Sequence, residues 1–434
     1  MIKTDILKPK KLRVLCVSIE ASGDRLLALG IQAFKKSYPG SLELVGIGGQ
    51  HSQAEGLVSF IDPKKLAAHG LSEALHVLPQ SINAYYKLKQ LAHDVDFCML
   101  VDSPELSMRL LSWIKTHRIE SIRKTTVFYI APPQVWAWRS HRAKTLALAD
   151  ELLCLFNFEA QWFKNRHISA RLIGHPMAIK QDEAKLQKGV GSIFKKGLVI
   201  AFFPGSRQSS VSRSFLLGLL SLAEFAVATK QMITINIAYT SWVNKDVYLK
   251  YIKAVQIQLL SWGWHKSEPA DEEYNQGFEQ WSTHEVGIRW NDIDSNSILS
   301  DQSIVPSQRH IALKQASFSV CHAGTSTLES ALAGVVPVSI APLSKLSTFM
   351  AKRLINIEHC ALPNLCLNRR AFPEVHAETC HVESVVKALI KVYKHLDHYQ
   401  DQLIELRQIV KPWSEQDMMA SIKSQLSLRG LNNS

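Results

Sequence analysis

The feature that most constrains the fold is a regular alternation of short, apolar, β-rich runs with longer amphipathic helical patterns. This alternation is typical of parallel sheets whose strands are joined by crossover helices. Because it occurs in both halves of the chain, we expect an α/β protein with two doubly wound units. The predicted strands are Leu12–Ser18, Leu42–Ile47, Phe97–Val101, Thr125–Ile130 and Leu152–Phe156, followed by Leu198–Phe203, Ile233–Ala238, Phe318–Cys321 and Val335–Ile340.

Changes in composition along the 434 residues predict the domain boundaries. We expect an N-terminal domain over 1–181, a linker rich in Lys, Gln and Gly over 182–196, and a second domain over 197–381. Residues 382–434 have a purely helical pattern and form the predicted C-terminal helical segment. Residues 264–307 are polar, acidic and irregular, which predicts an exposed insertion in the second domain.

The overall charge is strongly positive. Fifty Lys and Arg residues against 38 Asp and Glu residues give a formal net charge of +12. Such a field attracts nucleic acids, phosphorylated metabolites or an anionic membrane surface. With 46% hydrophobic residues, the chain has enough apolar side chains to form hydrophobic cores, which excludes a disordered protein.

The seven cysteines stand singly and never as CxxC, which favours reduced thiols in a cytoplasmic chain over disulfides or a zinc site. The N-terminal apolar run LRVLCVSI is too short for a signal sequence. The most apolar helical stretch, 215–229, contains Glu224 and is shorter than the roughly 20 residues that span a bilayer. We therefore predict no transmembrane segment.

Two polar segments follow strands of the first half. Glu20, Ser22 and Asp24 open a helix directly after the first strand, and Asp102 follows the strand Phe97–Val101. Ligands bind at the carboxyl ends of strands in doubly wound sheets, and a carboxylate there can act as general base for a hydroxyl nucleophile. The alternatives are a helix N-cap for the first segment and a turn before Pro104 for the second.

A third segment combines aromatic and basic residues. Trp136, Trp138 and Arg139 are followed by His141, Arg142 and Lys144. The aromatic rings of this set could bind the face of an acyl chain or a sugar, and its basic groups could bind a phosphate. The alternative is aromatic packing in a loop with solvated basic residues. A nucleic-acid site is not expected, since the aromatic–basic pattern does not extend beyond this cluster.

Two turns of the second half suit a nucleotide. Arg207 ends the segment PGSR after an apolar strand, and Gly324, Thr325 and Ser326 begin a helix that contains Glu329. Free N–H groups at a helix N-terminus bind phosphate, a guanidinium strengthens that binding, and a carboxylate one turn later can accept from ribose hydroxyls. The alternative is a pair of ordinary strand–helix turns.

Two further features are interpreted as structural. Asp292 and Asp294 form a DxD triplet of the kind that binds a metal–nucleotide, but no apolar strand precedes it, so we expect a solvated loop. His322 stands beside a glycine turn and is interpreted as a polar wall residue.

Together these segments resemble lipid-A-disaccharide synthase, an inverting glycosyltransferase family of GT-B architecture with two Rossmann-like domains. The resemblance runs from about Val14 to Glu374, outside 264–307. The motifs that carry it are EASGD, VGIGG with AEGL, VDSPE, VWAWR, GHP, PGSR, AGTSTLE, FMAKRL and LPNL.

The resemblance implies transfer of a sugar from UDP-2,3-diacylglucosamine to 2,3-diacylglucosamine 1-phosphate, which yields a β-1,6 disaccharide phosphate and UDP. It implies Asp102 as general base, with Glu20 and Asp24 in the catalytic set and Ser22, Trp136, Trp138 and Arg139 binding substrate. UDP would be held by Arg207, Gly324, Thr325, Ser326, Glu329, Asn364 and Arg369. No metal or other cofactor is expected, because helix dipole and arginine supply the positive charge.

The chain departs from the family pattern at several positions. Ile19 replaces a glycine before the EASGD glutamate, Leu27 replaces a helix glycine, and Ala323 replaces the serine before GT. An extra residue stands at Pro132-Pro133, and Glu105-Leu106 continue VDSPE where DAPDF is common. Since these changes mostly alter wall shape, we expect them to affect acyl-chain selectivity more than chemistry.

Acylated substrates imply peripheral contact with the anionic cytoplasmic face of the inner membrane; the resemblance leaves a monomer and a homodimer open. The basic residues proposed for the membrane face are Lys8, Lys10, Lys11, Lys87, Lys89, Arg139, Arg142 and Lys144. Competing interpretations are another GT-B enzyme on a UDP-sugar, such as a 2-epimerase or a polyprenyl-acceptor transferase, and a non-catalytic paralogue that binds UDP or lipid.

Overall fold

The structure is a computed structural model. It describes residues 10–66, 71–178, 198–239, 243–267, 279–282, 287–294, 313, 315–343 and 358–431. The chain forms two compact units. Unit 1 comprises Met1–Ile179 with Val410–Ser434, and unit 2 comprises Lys180–Ile409.

Unit 1 contains a parallel sheet in the order β3-β2-β1-β4-β5-β6-β7. Its strands are β1 Leu12–Val17, β2 Leu42–Ile47, β3 Val58–Ser59, β4 Phe97–Val101, β5 Thr126–Ile130, β6 Glu151–Cys154 and β7 Arg171–Leu172. All five residues of β4 and all five of β5 are buried, as expected where helices cover both faces of a parallel sheet. The order reverses between β1 and β4, which is the doubly wound arrangement.

The helices of unit 1 connect these strands. They are α1 Ala21–Ser37, α2 Gln50–Ala54, α3 Leu71–Leu91, α4 Ser107–Thr116, α5 Glu120–Arg123, α6 Ala143–Leu146 and α7 Asn157–Lys164, with 3-10 turns at Pro63–Lys65, Ala92–Asp94 and Ser140–Arg142. Helix α1 shows why the sequence forms them: apolar residues recur at helical spacing, and Leu27, Ile31 and Phe34 are fully buried.

The end of the chain returns to unit 1 through the GHP segment. His175 and Pro412 form a parallel β-bridge, and the His175 N–H donates to the Lys411 carbonyl at 2.8 Å. Gly174 adopts a left-handed φ of +82°, and a Cβ there would lie 2.1 Å from the Pro412 oxygen. The last helix of the chain, Glu415–Leu428, then packs on α1.

Unit 2 contains a mixed sheet in the order β10-β11-β12-β9-β8-β13-β14-β15. Its strands are β8 Leu198–Phe203, β9 Ile233–Tyr239, β10 His265–Ser267, β11 Glu279–Ser282, β12 Gly287–Asp294, β13 Phe318–His322, β14 Val336–Ala341 and β15 Glu374–His376. The β10–β11 and β11–β12 pairs are antiparallel, and the remaining pairs are parallel. The order reverses between β8 and β13, so the second unit is also doubly wound.

The helices of unit 2 are α8 Gln208–Thr229, α9 Lys245–Ser261, α10 Thr325–Leu332, α11 Leu362–Leu367, α12 Val382–Lys394 and α13 Gln400–Ile409, with 3-10 turns at Ala377–Thr379 and Leu396–Tyr399. Helix α8 is longer than the sequence pattern indicated, and by length and composition it could cross a membrane. Its Phe215, Leu219 and Leu222 are buried, and it packs on α9 and α12, so it is a core helix of this unit.

The α/β fold with two doubly wound sheets is therefore confirmed, and each of the nine predicted strands is present to within two residues at either end. All seven cysteines are free, and four of them are buried. The predicted helical segment 382–434 is divided: α12 and α13 belong to unit 2, whereas Glu415–Leu428, here α14, belongs to unit 1. The predicted linker 182–196 lies outside the described residues.

The expectation that 264–307 is irregular was wrong where the structure describes this segment. Three strands, β10, β11 and β12, lie within this segment and extend the sheet beyond β9. Polar composition concealed a period-2 pattern in Gly287–Asp294, where Ile288 and Trp290 alternate with polar residues. The DxD pair Asp292 and Asp294 is consequently in a strand that pairs with β9 and not in a loop.

Substitution of Gly174 by Ala tests the role of the GHP segment in docking the end of the chain. The new methyl group would overlap the Pro412 carbonyl, so we expect a loss of about 2–4 kcal/mol from overpacking and the left-handed φ together. Thermal unfolding should then begin roughly 5–10 °C lower.

The matched control is Gly56→Ala, because Gly56 has a similar φ of +86° but no atom within 4 Å of the place where the new methyl group would lie. This variant should lose only about 1 kcal/mol, the backbone part of the effect. Equal losses in the two variants would contradict the docking role of Gly174.

Candidate functional site

In unit 1 the strand order reverses between β1 and β4, and we call this place the switch point of the sheet. It brings the segments EASGD and VDSPE side by side. Strands β1 and β4 pair in parallel, with Val17 opposite Leu100, so the loops that follow them leave from neighbouring positions. A Cβ at Gly23 would lie 3.4 Å from the Val101 side chain, which shows how closely α1 approaches the end of β4. The two segments thus occupy the place where doubly wound sheets bind ligands.

Glu20 and Ser22 begin α1 at this edge. Glu20 is the N-cap residue, in an extended conformation with φ −126°, and it is half-buried. Ser22 is exposed. Ile19, one of the departures from the family pattern, packs against the apolar core of unit 1. Glu20 and Ser22 are therefore accessible at the strand end, whereas Ile19 contributes to packing.

Asp24 has a different environment from the one expected of a catalytic group. Its side chain is 1% exposed, and its carboxylate accepts from the N–H groups of Gly49 at 2.7 Å and His51 at 2.9 Å. Ser52 donates to the same carboxylate through both its N–H and its hydroxyl. These donors lie at the start of α2, so Asp24 satisfies the N-terminus of α2 and fixes the glycine loop after β2.

Asp102 directly follows β4 and has a strained backbone conformation. Asp102 and Ser103 have positive φ values of 44° and 54°, which is uncommon for residues other than glycine. The buried Tyr129 hydroxyl donates to the Asp102 carbonyl at 2.6 Å and holds this turn. Burial and the neighbouring Asp102 raise the pKa of Tyr129 well above its usual value, so the hydroxyl remains a donor. Strain of this kind is concentrated at functional sites.

Glu159 is a residue of this site that sequence reasoning missed. It lies in the first turn of α7, 5% exposed, and accepts from Trp136 Nε1 at 3.4 Å and from the Phe156 N–H at 3.3 Å. Burial raises the pKa of Glu159 to about 7, with a smaller contribution from Asp102 in the same direction. The segment FNFE gave no motif signal; only its position after an apolar strand could have suggested it.

The remaining members of VWAWR form a cationic surface. Trp138 is 38% exposed, and the Arg139 guanidinium lies 4.1 Å from the centre of its ring. Arg139, which has a left-handed φ of 57°, and Arg142 both pair with Glu105 in the loop after β4. The structure therefore brings VDSPE and VWAWR together through ion pairs.

The switch point of unit 2 brings PGSR and AGTSTLE together. Strands β8 and β13 pair in parallel, with Phe203 opposite Cys321. Arg207 is half-buried at the N-cap of α8. Gly205 has a φ of +120°, and a Cβ on it would lie 3.6 Å from the His322 ring. The two predicted nucleotide turns are thus neighbours at one edge of the sheet.

Gly324 caps α10 with a φ of 154°, a region that residues with a Cβ rarely adopt. Open space surrounds the position that a Cβ would take, and Thr325 is exposed. Ser326 donates to the His322 carbonyl at 3.2 Å, and Glu329 is half-buried one turn further on. The amide edge at the start of α10 is accessible to an anion.

His322 ends β13 between these turns. Its Nδ1 is 2.7 Å from the Ser214 hydroxyl of α8. Burial lowers the pKa of His322 to about 4, and Arg213 and Arg207 act in the same direction. The ring is therefore neutral at physiological pH, which fits the interpretation as a polar wall residue.

The side chains of two residues predicted to bind UDP make hydrogen bonds or ion pairs with other residues of unit 2. Asn364 is fully buried; its amide donates to Glu374 at 2.7 Å and to the Phe372 carbonyl, and its oxygen accepts from the Phe372 N–H. Arg369 makes a bidentate pair with Glu405, at 2.8 and 2.5 Å, and this pair raises its pKa. The motif FMAKRL lies outside the described residues.

In the described part of the chain, one group of neighbouring side chains consists of residue types that bind metal ions. Donor atoms of Cys360, Glu374 and His376 lie within 4.8 Å of one another. However, the Glu374 oxygens already accept from the N–H groups of Cys360 and Ala361 and from Asn364. Burial also raises the pKa of the Cys360 thiol far above its usual value, which opposes the thiolate form that a metal needs.

Sequence comparison relates the chain to one family. A profile of the family described as Lipid-A-disaccharide synthetase matches residues 14–261 and 288–425. A relative from Xanthomonas campestris pv. campestris, named lipid-A-disaccharide synthase, is 28% identical over 395 residues, which is 88% of this chain and 78% of that protein. A relative of the same name from Granulibacter bethesdensis is 29% identical over 382 residues, covering 86% and 84%.

Solved structures show the same architecture at low sequence identity. A Staphylococcus aureus protein, MnaA, solved with UDP, superposes with a TM-score of 0.56 at 10% identity and covers 96% of this chain and 97% of that one. A putative UDP-N-acetylglucosamine 2-epimerase from Listeria monocytogenes gives a TM-score of 0.51 at 10% identity and covers 98% of both chains. At such identities the likeness shows the fold alone, which is that of GT-B enzymes.

Glu159→Gln tests the protonation state of the buried carboxyl group. Since folding raises the pKa of Glu159 above its unfolded value, the folded protein binds the extra proton between about pH 4.5 and 7 and loses stability as the pH rises through this range. Glutamine resembles the protonated form. The stability of the variant relative to the natural protein should therefore increase by about 2.5 kcal/mol between pH 5 and pH 8.

Unfolding measured at both pH values checks this expectation. Glu120→Gln is the control, because Lys124 lowers the pKa of the exposed Glu120 and its difference from the natural protein should stay constant over this range. A pH-independent difference for Glu159→Gln would show that Glu159 is ionised in the fold.

Proposed function

The chain belongs to the Lipid-A-disaccharide synthetase family, and on that premise we propose how its residues divide the work of glycosyl transfer. The protein is a glycosyltransferase of lipid A biosynthesis. It transfers 2,3-diacylglucosamine from UDP-2,3-diacylglucosamine to 2,3-diacylglucosamine 1-phosphate and forms the β-1,6 disaccharide 1-phosphate and UDP. One observation carries the proposal: each switch point holds polar groups suited to one half of this reaction. The groups of unit 1 suit the acceptor sugar, and those of unit 2 suit UDP.

In the proposal, Asp102 is the general base. Its carboxylate takes the proton of the acceptor 6-hydroxyl while that oxygen attacks the anomeric carbon of the donor sugar. The bond from that carbon to the diphosphate breaks on the opposite side, so the configuration inverts and UDP leaves with the bonding electrons. Its support is the strained turn at Asp102, which the Tyr129 hydroxyl holds at the end of β4.

Unit 1 is proposed to bind the acylated acceptor around this base. Glu20 and Ser22 lie at the neighbouring strand end and are assigned to the sugar hydroxyls. Trp136 and Trp138 offer aromatic faces to the sugar and its acyl chains, and Glu159 orients Trp136 through its indole N–H. Asp24 is reassigned from the catalytic set to a positioning role, because its carboxylate is buried and bonded to the start of α2.

Unit 2 is proposed to bind UDP. Arg207 and the amides of Gly324 to Ser326 face the diphosphate and stabilise the charge that develops as UDP leaves. Glu329 is assigned to the ribose hydroxyls. Asn364 is reassigned to holding the loop before Glu374, since its amide is saturated by internal hydrogen bonds. For Arg369 to contact UDP, its guanidinium would have to leave Glu405.

The anionic cytoplasmic face of the inner membrane is the proposed location, and α3 is the proposed contact. Leu78, Ile82 and Tyr86 recur every four residues on one helix face and are 51%, 45% and 60% exposed. A groove of about 280 Å³ joins α3 to Phe60 and includes Lys87. An exposed apolar stripe with lysines beside it suits insertion into the headgroup region.

The basic residues named from sequence do not form a single face. Lys10 pairs with Asp96 and Lys11 with Glu43 at the amino-terminal edge of the sheet. Arg139 and Arg142 pair with Glu105 at the carboxyl-terminal edge. Lys8 lies outside the described residues. Membrane attraction is therefore assigned to the lysines of α3 and its groove.

The combined substitution of Leu78, Ile82 and Tyr86 by Ser should remove most binding to vesicles that contain anionic lipid, because the apolar stripe is lost. Flotation of the protein with such vesicles measures the bound fraction. Substitution of Ile257 and Leu260 by Ser is the matched control, since these residues of α9 are 69% and 58% exposed. Equal binding by the stripe variant and the natural protein would refute the α3 contact.

Asp102→Asn should lower turnover by about 10²–10⁴-fold, because the amide cannot accept the proton. UDP affinity, measured by titration calorimetry, should not change, since the substitution leaves unit 2 untouched. Asp401→Asn, a charge-matched change in α13, should leave both quantities unaltered. Turnover within a few-fold of the natural rate in the Asp102 variant would refute Asp102 as the base.

A further inference from the structure

Three guanidinium groups converge on one carboxylate beside the proposed base. Glu105 Oε1 lies 3.1 Å from Arg142 Nη1 and 3.4 Å from Arg139 Nη1, and Glu105 Oε2 lies 3.4 Å from Arg109 Nη2. The arginines come from two separate parts of unit 1: Arg109 from α4, and the other two from the loop after β5. Three cations around one carboxylate leave an excess of positive charge.

The geometry of these contacts leaves binding capacity for a second anion. Each guanidinium carries several N–H donors in a planar fork, and single contacts to Glu105 use only part of that set. Glu105 is 58% exposed on its side chain and Arg142 25%, so the cluster is open to solvent and partly shielded by protein. Planar forks of this kind match the oxygens of a phosphate group.

The cluster is held in place before any ligand arrives. Arg139 has a left-handed backbone, and its guanidinium lies over the exposed Trp138 ring at 4.1 Å. Glu105 Oε1 contacts the same guanidinium at Nη1, at 3.4 Å. Interactions with an anion are stronger when the donors are already positioned, because less side-chain entropy is lost on binding.

The position of the cluster connects it to the reaction. Glu105 stands three residues after Asp102 in the same loop. Arg142 acts against the burial and the Asp102 charge that raise the pKa of Tyr129, the residue whose hydroxyl holds the Asp102 carbonyl, so Arg142 lies within electrostatic reach of that tyrosine. An anion held by the three arginines would therefore be bound by the same loop that carries Asp102.

We propose that Arg109, Arg139 and Arg142, arranged by Glu105, form the subsite for the phosphate monoester of the acylated sugar acceptor. The inference rests on the proposed function and adds a determinant of specificity to it. A phosphate-bearing lipid headgroup has the same chemistry, so the experiment separates the two sources. Glu105 is a positioning residue in this arrangement, because it orders the guanidinium groups without contacting the reacting atoms.

The test compares two acceptors, diacylglucosamine 1-phosphate and the same sugar without phosphate, in neutral detergent micelles. The natural protein should prefer the phosphorylated acceptor. Arg142→Gln and Arg109→Gln should each lower kcat/KM for that acceptor by about 10–100-fold and change the value for the other acceptor little. Arg171→Gln is the control, since Arg171 pairs with Glu151 elsewhere in unit 1.

Binding measurements keep this test separate from the test of overall function. A short-chain acylglucosamine 1-phosphate titrated into the natural protein should bind more tightly than into Arg142→Gln, whether or not any turnover occurs. Absence of disaccharide together with this difference would reject the proposed reaction and retain the subsite. Equal losses with both acceptors, or equal binding to the natural protein and Arg142→Gln, would overturn the subsite. If Arg142→Gln lost binding only to vesicles of anionic lipid, the headgroup and not the acceptor would be the ligand.

Discussion

Parallel pairing of a central strand with neighbours on both sides is the constraint on which both units depend. In unit 1, β1 lies between β2 and β4, and in unit 2, β8 lies between β9 and β13. The connections from such a strand leave the carboxyl edge in opposite directions, which opens a crevice there. Every segment assigned to substrate or UDP binding follows one of these strands or an adjacent one, so the sheets determine where chemistry can occur.

Buried polar groups then fix loops in both units. Asp24 is saturated by the start of α2, and Glu374 by Asn364 and the backbone before α11. Because an unsatisfied buried carboxylate would be costly, these acids serve the loops that hold them. Asp102 and Arg207 are only half-buried, at the strand ends, where a ligand can reach them. The division between the structural groups and the groups proposed to meet substrate or UDP therefore follows burial.

The fold was predictable because continuous apolar runs mark buried parallel strands. Six of the described strands were not predicted, for physical reasons: β3 and β7 contain two residues each, β10 and β15 three and β11 four, and β12 carries Asn291 and Asp292 within an alternating pattern. The candidate site was predictable only in part. Asp24 and Asp102 look alike in sequence, because each is an aspartate shortly after an apolar strand. They differ in the structure: the burial and hydrogen bonds of Asp24 depend on α2, and the turn at Asp102 depends on Tyr129. Glu159 gains its role from the tertiary contact with Trp136, which no local motif encodes.

The most direct measurement is a single assay of purified protein with UDP-2,3-diacylglucosamine and 2,3-diacylglucosamine 1-phosphate in mixed micelles. UDP release and the mass of the lipid product are followed together. The account predicts one disaccharide 1-phosphate formed for each UDP released, with release dependent on the acceptor. UDP binding without any disaccharide, or UDP release at the same rate when the acceptor is omitted, would contradict it.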